Sequence, residues 1–346
     1  MTMNFRFFSQ DLGIDLGTAN TLIYSKNKGI ILNEPSVIAV DESTNQVLAT
    51  GREAKEMLGR APRHIRVVRP LQDGVISDFV MTQTMLKEYL NKAVSQRSAF
   101  SQIRVVVGVP SGVTEVEKRA VEEVVRQMGA KDVYILDEPM AAAIGSGLDV
   151  DAANGCMVAD IGGGTSDIAI IALGGIVNST SLRFAGDKMD EAIVAYMRKN
   201  FNLLIGEKTA EEIKKTVGCV FPDEDSENLS MEARGRDIIS GLPKTITVTS
   251  ADIMKALEEP VSTLIEGIKN TLEKAPPELA ADIVNNGLVL TGGGALLRGM
   301  GRLINYSTGM HVTIAENALE AVAEGTGRSL ESIEGVKRHA YRNRKY

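Results

Sequence analysis

The chain has 346 residues, and its 38 lysines and arginines against 45 aspartates and glutamates give a net charge of −7. Apolar residues make up 44% and charged residues 24% of the chain, which excludes intrinsic disorder and is typical of a globular protein. The length predicts about two domains. An acidic chain without a long basic stripe also argues against nucleic acid as a partner.

Cysteine and histidine are too sparse for several classes of structure. Cys156 and Cys219 cannot form a disulfide framework and are typical of a reducing compartment, so we expect a cytoplasmic protein. No window approaches 18 uncharged apolar residues, and the first eleven residues lack the features of a secretory signal, so neither a transmembrane helix nor a leader is expected. The three histidines are far apart, which argues against a histidine-based metal site.

Two glycine-rich segments repeat one pattern. Residues 15–20 read DLGTAN and residues 160–165 read DIGGGT, and each segment lies between two apolar runs. Such a pattern predicts a β-hairpin. The two aspartates are 160 − 15 = 145 residues apart, about one domain length. We therefore predict a duplicated α/β protein with one hairpin tip per domain; the alternative is two unrelated hairpins.

Alternating elements connect and follow the two hairpins. An apolar run over 103–109 predicts a buried parallel strand, and the capping box of Thr114 and Glu117 begins a helix that ends near Gly129. The further predicted elements are a strand over 133–136, helices over 140–144 and 188–199, a helix capped by Thr209 and Glu212 and running to Val217, a helix through 261–272, a strand over 288–290 and a helix from Leu296 to near Gly309. Residues 222–236 are polar and acidic, which predicts an exposed loop.

Three glycine-rich turns follow predicted strands, at 15–20, 160–165 and 291–294. Glycine lets backbone N–H groups approach an anion closely, and the third turn precedes a predicted helix whose N-terminus favours negative charge. The three turns together predict a polyphosphate site. The sequence motifs of P-loop proteins, of Rossmann dinucleotide sites and of the nucleophile elbow are absent.

Carboxylates accompany these turns. Asp15 and Asp160 end strands beside glycine-rich turns, and Mg²⁺ often lies between phosphates and one or two carboxylates, so the pair predicts a magnesium site with contacts through water. Glu138 ends a third strand, where it could orient a water molecule towards the terminal phosphate with help from the Thr165 hydroxyl. The alternative for Glu138 is an N-cap-like role before Pro139.

The same motifs resemble a known group of proteins. Residues 15–18, 160–165 and 291–294 resemble the two phosphate motifs and the adenosine motif of the actin and heat-shock-chaperone ATPase superfamily, and residues 109–110 and 137–145 fit it as well. Within that superfamily the chain looks like MreB, the family of bacterial actins that determine rod shape. The segments that carry this narrower resemblance are 14–24, 32–37, 73–79, 186–191, 204–207 and 276–279, and the whole resemblance runs from about Asp11 to Gly327.

The resemblance implies an actin-like, ribonuclease H-like fold with two duplicated α/β lobes, each carrying a small subdomain. Lobe I would comprise residues 1–147 and 316–346, with its small subdomain at about 34–67. Lobe II would comprise residues 148–315, with its small subdomain at about 184–247. ATP and Mg²⁺ would lie in the cleft of this fold.

The resemblance also implies the residues that contact the cofactor. Phosphate contacts would come from Thr18, Ala19 and Asn20 and from Gly162, Gly163 and Gly164, in a cofactor-binding set that also includes Asp15, Gly17, Asp160 and Asp187. Glu211 and Lys214 would contact the ribose and base. They belong to a cofactor-binding segment made of Ala210, Glu211, Glu212, Ile213 and Lys214. The adenosine would be bordered by Gly293, Gly294, Ala295, Leu296 and Leu297. Glu138 and Thr165 would position the attacking water.

The function that the resemblance implies is a homopolymer of paired filaments beneath the cytoplasmic membrane that guides the cell-wall elongation machinery. Its ATPase would be slow and would time assembly. The alternatives are a small-molecule kinase of the same superfamily, which needs an acceptor pocket with its own base, a chaperone ATPase, which needs a substrate domain, and a plasmid-partitioning actin.

Weak membrane contacts are expected at two places. Met1, Phe5 and Phe8 share one helical face with Arg6 beside them, although Phe5 and Phe7 could equally alternate in a strand. The segment is too short to bind strongly alone, but a filament would multiply it. Phe100 is the second candidate contact, with a buried core position as the alternative. Residues 337–346 hold five basic residues and no acidic residue, which predicts a solvated tail or a patch for anionic lipid.

Overall fold

The structure is a computed structural model that describes residues 9–26, 28–93 and 102–330. Its contacts group the chain into two units. Unit 1 takes the residues up to 153, residues 171–176 and the residues from 320 onward, and unit 2 takes residues 154–170 and 177–319. Within the described ranges, every helix is too short or too polar to cross a lipid bilayer.

Strands and helices alternate from residue 102 to residue 145 as the sequence predicts, and further strands and helices lie before and after that stretch. The strands are β1 (Ser9–Leu16), β2 (Asn20–Ser25), β3 (Gly29–Pro35), β4 (Ile38–Asp41), β5 (Val47–Thr50), β6 (Ile65–Val68), β7 (Leu71–Gln72), β8 (Val75–Ile76), β9 (Gln102–Val109), β10 (Ala130–Asp137), β11 (Cys156–Ile161), β12 (Ser166–Ala172), β13 (Gly175–Leu182), β14 (Leu203–Leu204), β15 (Ser230–Asp237), β16 (Pro243–Thr249), β17 (Leu288–Thr291) and β18 (Val312–Ile314). The helices are α1 (Arg52–Met57), α2 (Phe79–Ala93), α3 (Glu115–Gln127), α4 (Glu138–Gly145), α5 (Gly186–Phe201), α6 (Glu207–Val217), α7 (Ser250–Glu273), α8 (Pro277–Asn286), α9 (Met300–Thr308) and α10 (Ala321–Ser329).

The main sheet of unit 1 has the strand order β10-β9-β1-β2-β3. β1 and β2 form an antiparallel hairpin, whereas β9 runs parallel to both β1 and β10. The valines of β9 are almost fully buried because helices can cover both faces of a parallel region. Close packing of α4 on α10 depends on glycine, since a Cβ atom at Gly145 would lie 1.8 Å from the carbonyl oxygen of Ala321.

The second main sheet repeats the first. Its order is β13-β12-β11-β17-β18, so that both sheets place a three-strand meander beside two later strands in the same sequence. β17 is parallel to β11 and to β18, as β9 is to β1 and β10. The duplication predicted from the two glycine-rich segments is therefore confirmed in the topology.

Each unit also contains a smaller sheet. In unit 1 the order β5-β4-β6 packs on α1 around a small core of Val37, Ala39, Ala49 and Ala54. In unit 2 the order is β14-β15-β16, with β15 antiparallel to β16. The larger cores lie under the main sheets, with Ile14, Val105 and Val107 in unit 1 and Ile161, Ile193 and Leu264 in unit 2 among fully buried members.

Two local predictions are confirmed at a helix boundary. The capping box of Thr114 and Glu117 is present at the start of α3, and the left-handed Gly309 follows the last residue of α9.

The helix predicted through 261–272 is present as part of the long helix α7, but its start differs from the prediction. A second capping box, of Thr249 and Asp252, begins α7 eleven residues before the apolar pattern predicts it. Helix α7 continues through Pro260, which lies inside it.

Three local predictions are wrong. Thr209 does not cap α6, because the extended backbone of Gly206 begins that helix at Glu207. The predicted loop 222–236 contains most of β15, whose polar residues are exposed while Ala233 is buried, because one face of the small sheet meets solvent. The helix predicted from Leu296 begins only at Met300. Leu296 ends a short 3-10 turn, Gly293–Leu296, and Gly299, with a φ of +81°, separates that turn from α9.

Candidate phosphate and nucleoside segments

In unit 1, the turn between β1 and β2 carries the first predicted phosphate segment. Gly17 fits a tight turn, since a Cβ atom there would lie 2.8 Å from the carbonyl oxygen of Asn20. Ser36 braces the turn, because its hydroxyl donates to Gly17 O at 2.6 Å and its N–H donates to Ala19 O at 3.0 Å. Ala19 and Asn20 are exposed at the tip, so their backbone is accessible to a ligand.

Thr18 differs from its neighbours because its side chain is buried. Its hydroxyl accepts a hydrogen bond from the N–H of Gly74 at 3.0 Å. The phosphate contact of Thr18 stays a prediction. Asp15 lies near the end of β1, opposite Gly108 on the parallel strand β9, with its side chain partly buried.

Glu138 is the first residue of α4 and is buried, with 6% of its surface exposed. The N-cap position belongs to Asp137, which makes no side-chain cap hydrogen bond, so the N-cap-like alternative for Glu138 is wrong. Lys118 lies 3.6 Å from the carboxylate of Asp137. Glu138 therefore lies where β10 meets a helix N-terminus, as its proposed chemistry requires, and the structure leaves its catalytic role a prediction.

In unit 2, the turn between β11 and β12 is held by main-chain groups. The N–H of Gly162 donates to Thr165 O at 2.9 Å across the turn. The N–H groups of Gly186 and Asp187, at the start of α5, donate to Gly162 O at 3.2 Å and Gly163 O at 2.8 Å. Gly164 and Thr165 are buried. The loop 162–165 therefore has its shape fixed by the first turn of α5.

The third glycine-rich turn adjoins the second because β17 pairs with β11. Asp160 lies opposite Thr291, whose hydroxyl donates to the buried Asp160 carboxylate at 2.6 Å. Burial raises the pKa of Asp160 to about 6; the Thr291 hydrogen bond acts against this rise and the charge of Asp167 adds to it. Gly292 has a φ of +79°, and a Cβ atom there would lie 2.3 Å from the carbonyl oxygen of Ile161.

The predicted adenosine border is only partly accessible. Gly293 and Leu296 are exposed, and 52% of the Leu296 surface is accessible. Gly294, Ala295 and Leu297 are buried, and a Cβ atom at Gly294 would collide with Ile161. The accessible border of unit 2 thus consists of Gly293 and Leu296, supported by buried small residues.

Helix α6 carries the predicted ribose and base segment. Ala210 and Ile213 point into the core, Glu212 is exposed, and Glu211 forms an ion pair with Lys215 at 2.5 Å. The ammonium group of Lys214 donates to Gly186 O at 2.7 Å and lies 2.9 Å from the carboxylate of Asp190. Of the segment predicted to contact a nucleoside, Glu211 and Glu212 are therefore the side chains available at the surface.

Sequence reasoning did not assign a role to Asp190. The signal that could have found it is its position among the apolar residues of α5, since Met189, Ile193 and Met197 are buried on the same helix. A carboxylate at a buried position needs a charged or hydrogen-bonding partner. That requirement points to Lys214 on the next helix.

The predicted membrane contacts and the basic C-terminal segment lie outside the described residues. They are Met1, Phe5, Arg6, Phe8, Phe100 and residues 337–346. In the described ranges, no group of three or more histidine, cysteine, aspartate or glutamate side chains forms a ready metal site. The predicted magnesium carboxylates Asp15 and Asp160 belong to unit 1 and unit 2 respectively.

Comparisons with known proteins match nearly the whole chain. A family model described as MreB/Mbl protein matches residues 9–338. The cell shape-determining protein Mbl of Bacillus cereus is 49% identical over 335 residues, which cover 97% of this chain and 100% of that protein.

Solved structures agree with this relationship. The crystal structure of MreB 5 of Spiroplasma citri bound to AMPPNP is 39% identical, covers 94% of this chain and 97% of its own, and has a TM-score of 0.90; the ADP-bound structure has a TM-score of 0.89. A MamK double helical filament, 23% identical with a TM-score of 0.80 over 94% of this chain and 99% of its own, shares the fold. The fold is thus actin-like, and the chain belongs to the MreB/Mbl family.

Proposed function

We propose that the chain is an ATP-dependent actin-like cytoskeletal protein that assembles into filaments and directs cell shape. The observation that carries the proposal is the duplicated hairpin with a glycine-rich turn in each main sheet, together with a third such turn beside the second. Glycine-rich turns with accessible backbone suit phosphate groups. Membership of a family with AMPPNP-bound and ADP-bound structures supports the nucleotide as the ligand.

The nucleoside end of ATP is assigned to unit 2. Glu211 and Glu212 on α6 would contact the ribose and base, and Gly293 and Leu296 would border the adenosine. The loop 162–165 would receive phosphates. Its main-chain brace supports this role, because a preformed loop loses less conformational entropy when the ligand binds. In unit 1, the exposed backbone of Ala19 and Asn20 would also serve phosphates.

Asp160 fits a role beside Mg²⁺. Its oxygen donors are those that this hard cation prefers, and its buried carboxylate is costly to ionise without a nearby positive charge. Mg²⁺, when bound with the nucleotide, supplies positive charge to the phosphates. Asp160 and Asp15 would each hold it through water, and Thr291 would keep the Asp160 carboxylate oriented.

Hydrolysis is assigned to Glu138 and Thr165. A buried carboxylate at the N-terminus of α4 can orient a water molecule, and a threonine hydroxyl can accept or donate a hydrogen bond to the same water. Both groups would act by positioning that water. The slow rate in this proposal comes from the resemblance to the family and not from these two residues. Slow turnover suits an ATPase that times filament assembly.

Assembly is proposed to occur at the inner face of the cytoplasmic membrane. The shared fold of a MamK double helical filament supports self-association, and the cell-shape relatives support a link to cell-wall elongation. Weak membrane anchors at Phe5, Phe8 and Phe100, repeated in every subunit, would hold a filament to the membrane by avidity.

Electron microscopy of the purified protein tests the assembly. With ATP and Mg²⁺ we expect filaments, and with anionic vesicles we expect those filaments on the lipid surface. Apyrase-treated protein is the control. Well-folded protein that stays monomeric with ATP and instead transfers phosphate to a small acceptor would favour the kinase alternative.

A further inference from the structure

A largely buried ion pair between Lys214 and Asp190 joins α6 to α5 in unit 2. Lys214 donates to the carbonyl oxygen of Gly186 at 2.7 Å and lies 2.9 Å from Oδ1 of Asp190. Both side chains are largely buried, with 15% of Lys214 and 12% of Asp190 exposed. The ammonium group is therefore held by protein groups, although the sequence predicts that it contacts the nucleoside.

Gly186 lies at the junction of this pair with the phosphate loop. Its carbonyl group accepts from Lys214, while its own N–H donates to Gly162 O at 3.2 Å. The next N–H, of Asp187, donates to Gly163 O at 2.8 Å. A Cβ atom at Gly186 would lie 3.2 Å from Gly162 O, a tight contact, and 3.4 Å from Lys214 Nζ, an ordinary van der Waals contact.

The charges around Asp190 explain why the ammonium stays in place. Asp190 faces Lys214 and Glu211 on α6 and Asp187 on its own helix. Oδ1 accepts no hydrogen bond, so its contact with Lys214 is an ion pair. One of the three ammonium N–H groups of Lys214 donates to Gly186 O. Loss of one member of a buried pair leaves an uncompensated charge, whereas exposed pairs contribute little.

We propose that Asp190 is a positioning residue which, by holding Lys214 against Gly186, fixes the start of α5 and through it the phosphate loop 162–165. The inference rests on the proposed nucleotide function of that loop. It gives Lys214 a role different from direct contact with the ribose or base. It also links the nucleoside-side helix α6 to the phosphate-side loop within unit 2.

The test compares Asp190→Asn with Glu191→Gln. Glu191 is the adjacent residue and pairs with Lys188 at 2.8 Å, but that pair is exposed, so Glu191→Gln removes one carboxylate without touching Gly186. Calorimetric titration with ADP and Mg²⁺ at pH 7.5 should show affinity at least about tenfold weaker for Asp190→Asn, and within about twofold of wild type for Glu191→Gln. Amide hydrogen exchange of residues 160–165 should quicken only in Asp190→Asn.

A pH series separates positioning from general loss of packing. Burial raises the pKa of Asp190 to about 6, with the Lys214 charge acting against the rise. Protonation below that pH makes wild type resemble Asp190→Asn, so the wild-type to variant affinity ratio should fall towards one between pH 7.5 and 5. Taking the ratio cancels the titration of the nucleotide and of other groups.

Three results would overturn the inference. Wild-type affinity for ADP matched by Asp190→Asn would do so, as would an affinity ratio that stays constant with pH. If Asp190→Asn does not fold, Asp190→Ser replaces it, and failure of both to fold would show that the pair serves folding alone. Absence of nucleotide binding by the folded wild-type protein would instead contradict the proposed function.

Discussion

The two glycine-rich hairpins occupy equivalent places in duplicated sheets but are braced differently. In unit 1 the turn is held by Ser36, whose hydroxyl and N–H donate to Gly17 and Ala19, and by the N–H of Gly74, which donates to the Thr18 hydroxyl. In unit 2 the turn is held by the first N–H groups of α5. The duplicated topology therefore fixes where each glycine-rich turn lies, whereas the neighbouring elements decide which groups brace it.

The aspartates that precede these turns also have different surroundings. Asp15 lies opposite Gly108, and Asp160 lies opposite Thr291, at matching positions of the two sheets. Asp160 is 7% exposed and accepts from Thr291, and burial raises its pKa to about 6. Equivalent positions thus place a carboxylate beside each glycine-rich turn, with Asp160 more deeply buried than Asp15.

The largest expected effect is a loss of stability caused by a substitution in the third glycine-rich turn, which lies in unit 2. Gly292→Ala places a Cβ atom 2.3 Å from the carbonyl oxygen of Ile161 at a φ of +79°, so we expect a loss of at least about 3 kcal/mol in the free energy of unfolding. Urea denaturation followed by circular dichroism measures it. Gly309→Ala is the matched control, since Gly309 has a φ of +74° but an added Cβ atom would lie within 4 Å of no atom beyond the adjacent residues. It should lose only about 1 kcal/mol. Equal losses would refute the steric explanation.

A stabilising change is expected at Asp160. Its raised pKa means that its contribution to stability is full below pH 3.8 and is lost as pH rises through about 6. At pH 7.5 the ionised form costs up to about 3 kcal/mol, so Asp160→Asn should stabilise the nucleotide-free protein by a sizeable part of that amount.

Urea denaturation at pH 7.5 and pH 4 measures this difference. The gain of Asp160→Asn over wild type should shrink at the lower pH. A variant that is less stable than wild type at pH 7.5 would show that the carboxylate is needed in the folded protein without ligand.

Glu138→Ala sharpens the comparison between binding and chemistry. Loss of a water-positioning group should slow ATP hydrolysis at least about tenfold while nucleotide affinity changes little. Steady-state phosphate release and calorimetry measure the two quantities. Glu117→Ala, at an exposed capping box elsewhere in unit 1, controls for general loss of stability. Normal turnover in Glu138→Ala would remove Glu138 from the mechanism.

The smallest expected effect concerns the brace of the first turn. Ser36→Ala deletes the hydroxyl bond to Gly17 O and the contact with the Thr21 hydroxyl at 2.9 Å, which should cost about 1 kcal/mol of stability. Thermal unfolding and hydrogen exchange of residues 16–20 measure it. If exchange quickens equally in residues 160–165, the two turns are not braced independently.

The sequence predicted most of the architecture because its signals are local. The Val-rich run became β9, the capping box of Thr114 began α3, and the repeated Asp–Gly pattern indicated the duplication. The failures arose where tertiary contacts decide. β15 has a polar sequence and forms a strand because it pairs with β16, and the break at Gly299 depends on a close approach to Phe221.

The sequence predicted which segments belong to the candidate site, but not which groups in those segments contact one another. Position in the motif indicated Lys214, but only the fold shows that its ammonium is held by Asp190 and Gly186. Likewise, Thr18 is buried against Gly74, although its motif predicts a phosphate contact. Such pairings join residues 28 and 56 positions apart, which no local pattern encodes.

Calorimetric titration of ATP into the purified protein, with and without Mg²⁺, tests the central claim most directly. The account predicts saturable binding of one ATP per chain that strengthens when Mg²⁺ is added. Folded protein that takes up no adenine nucleotide under either condition would contradict it.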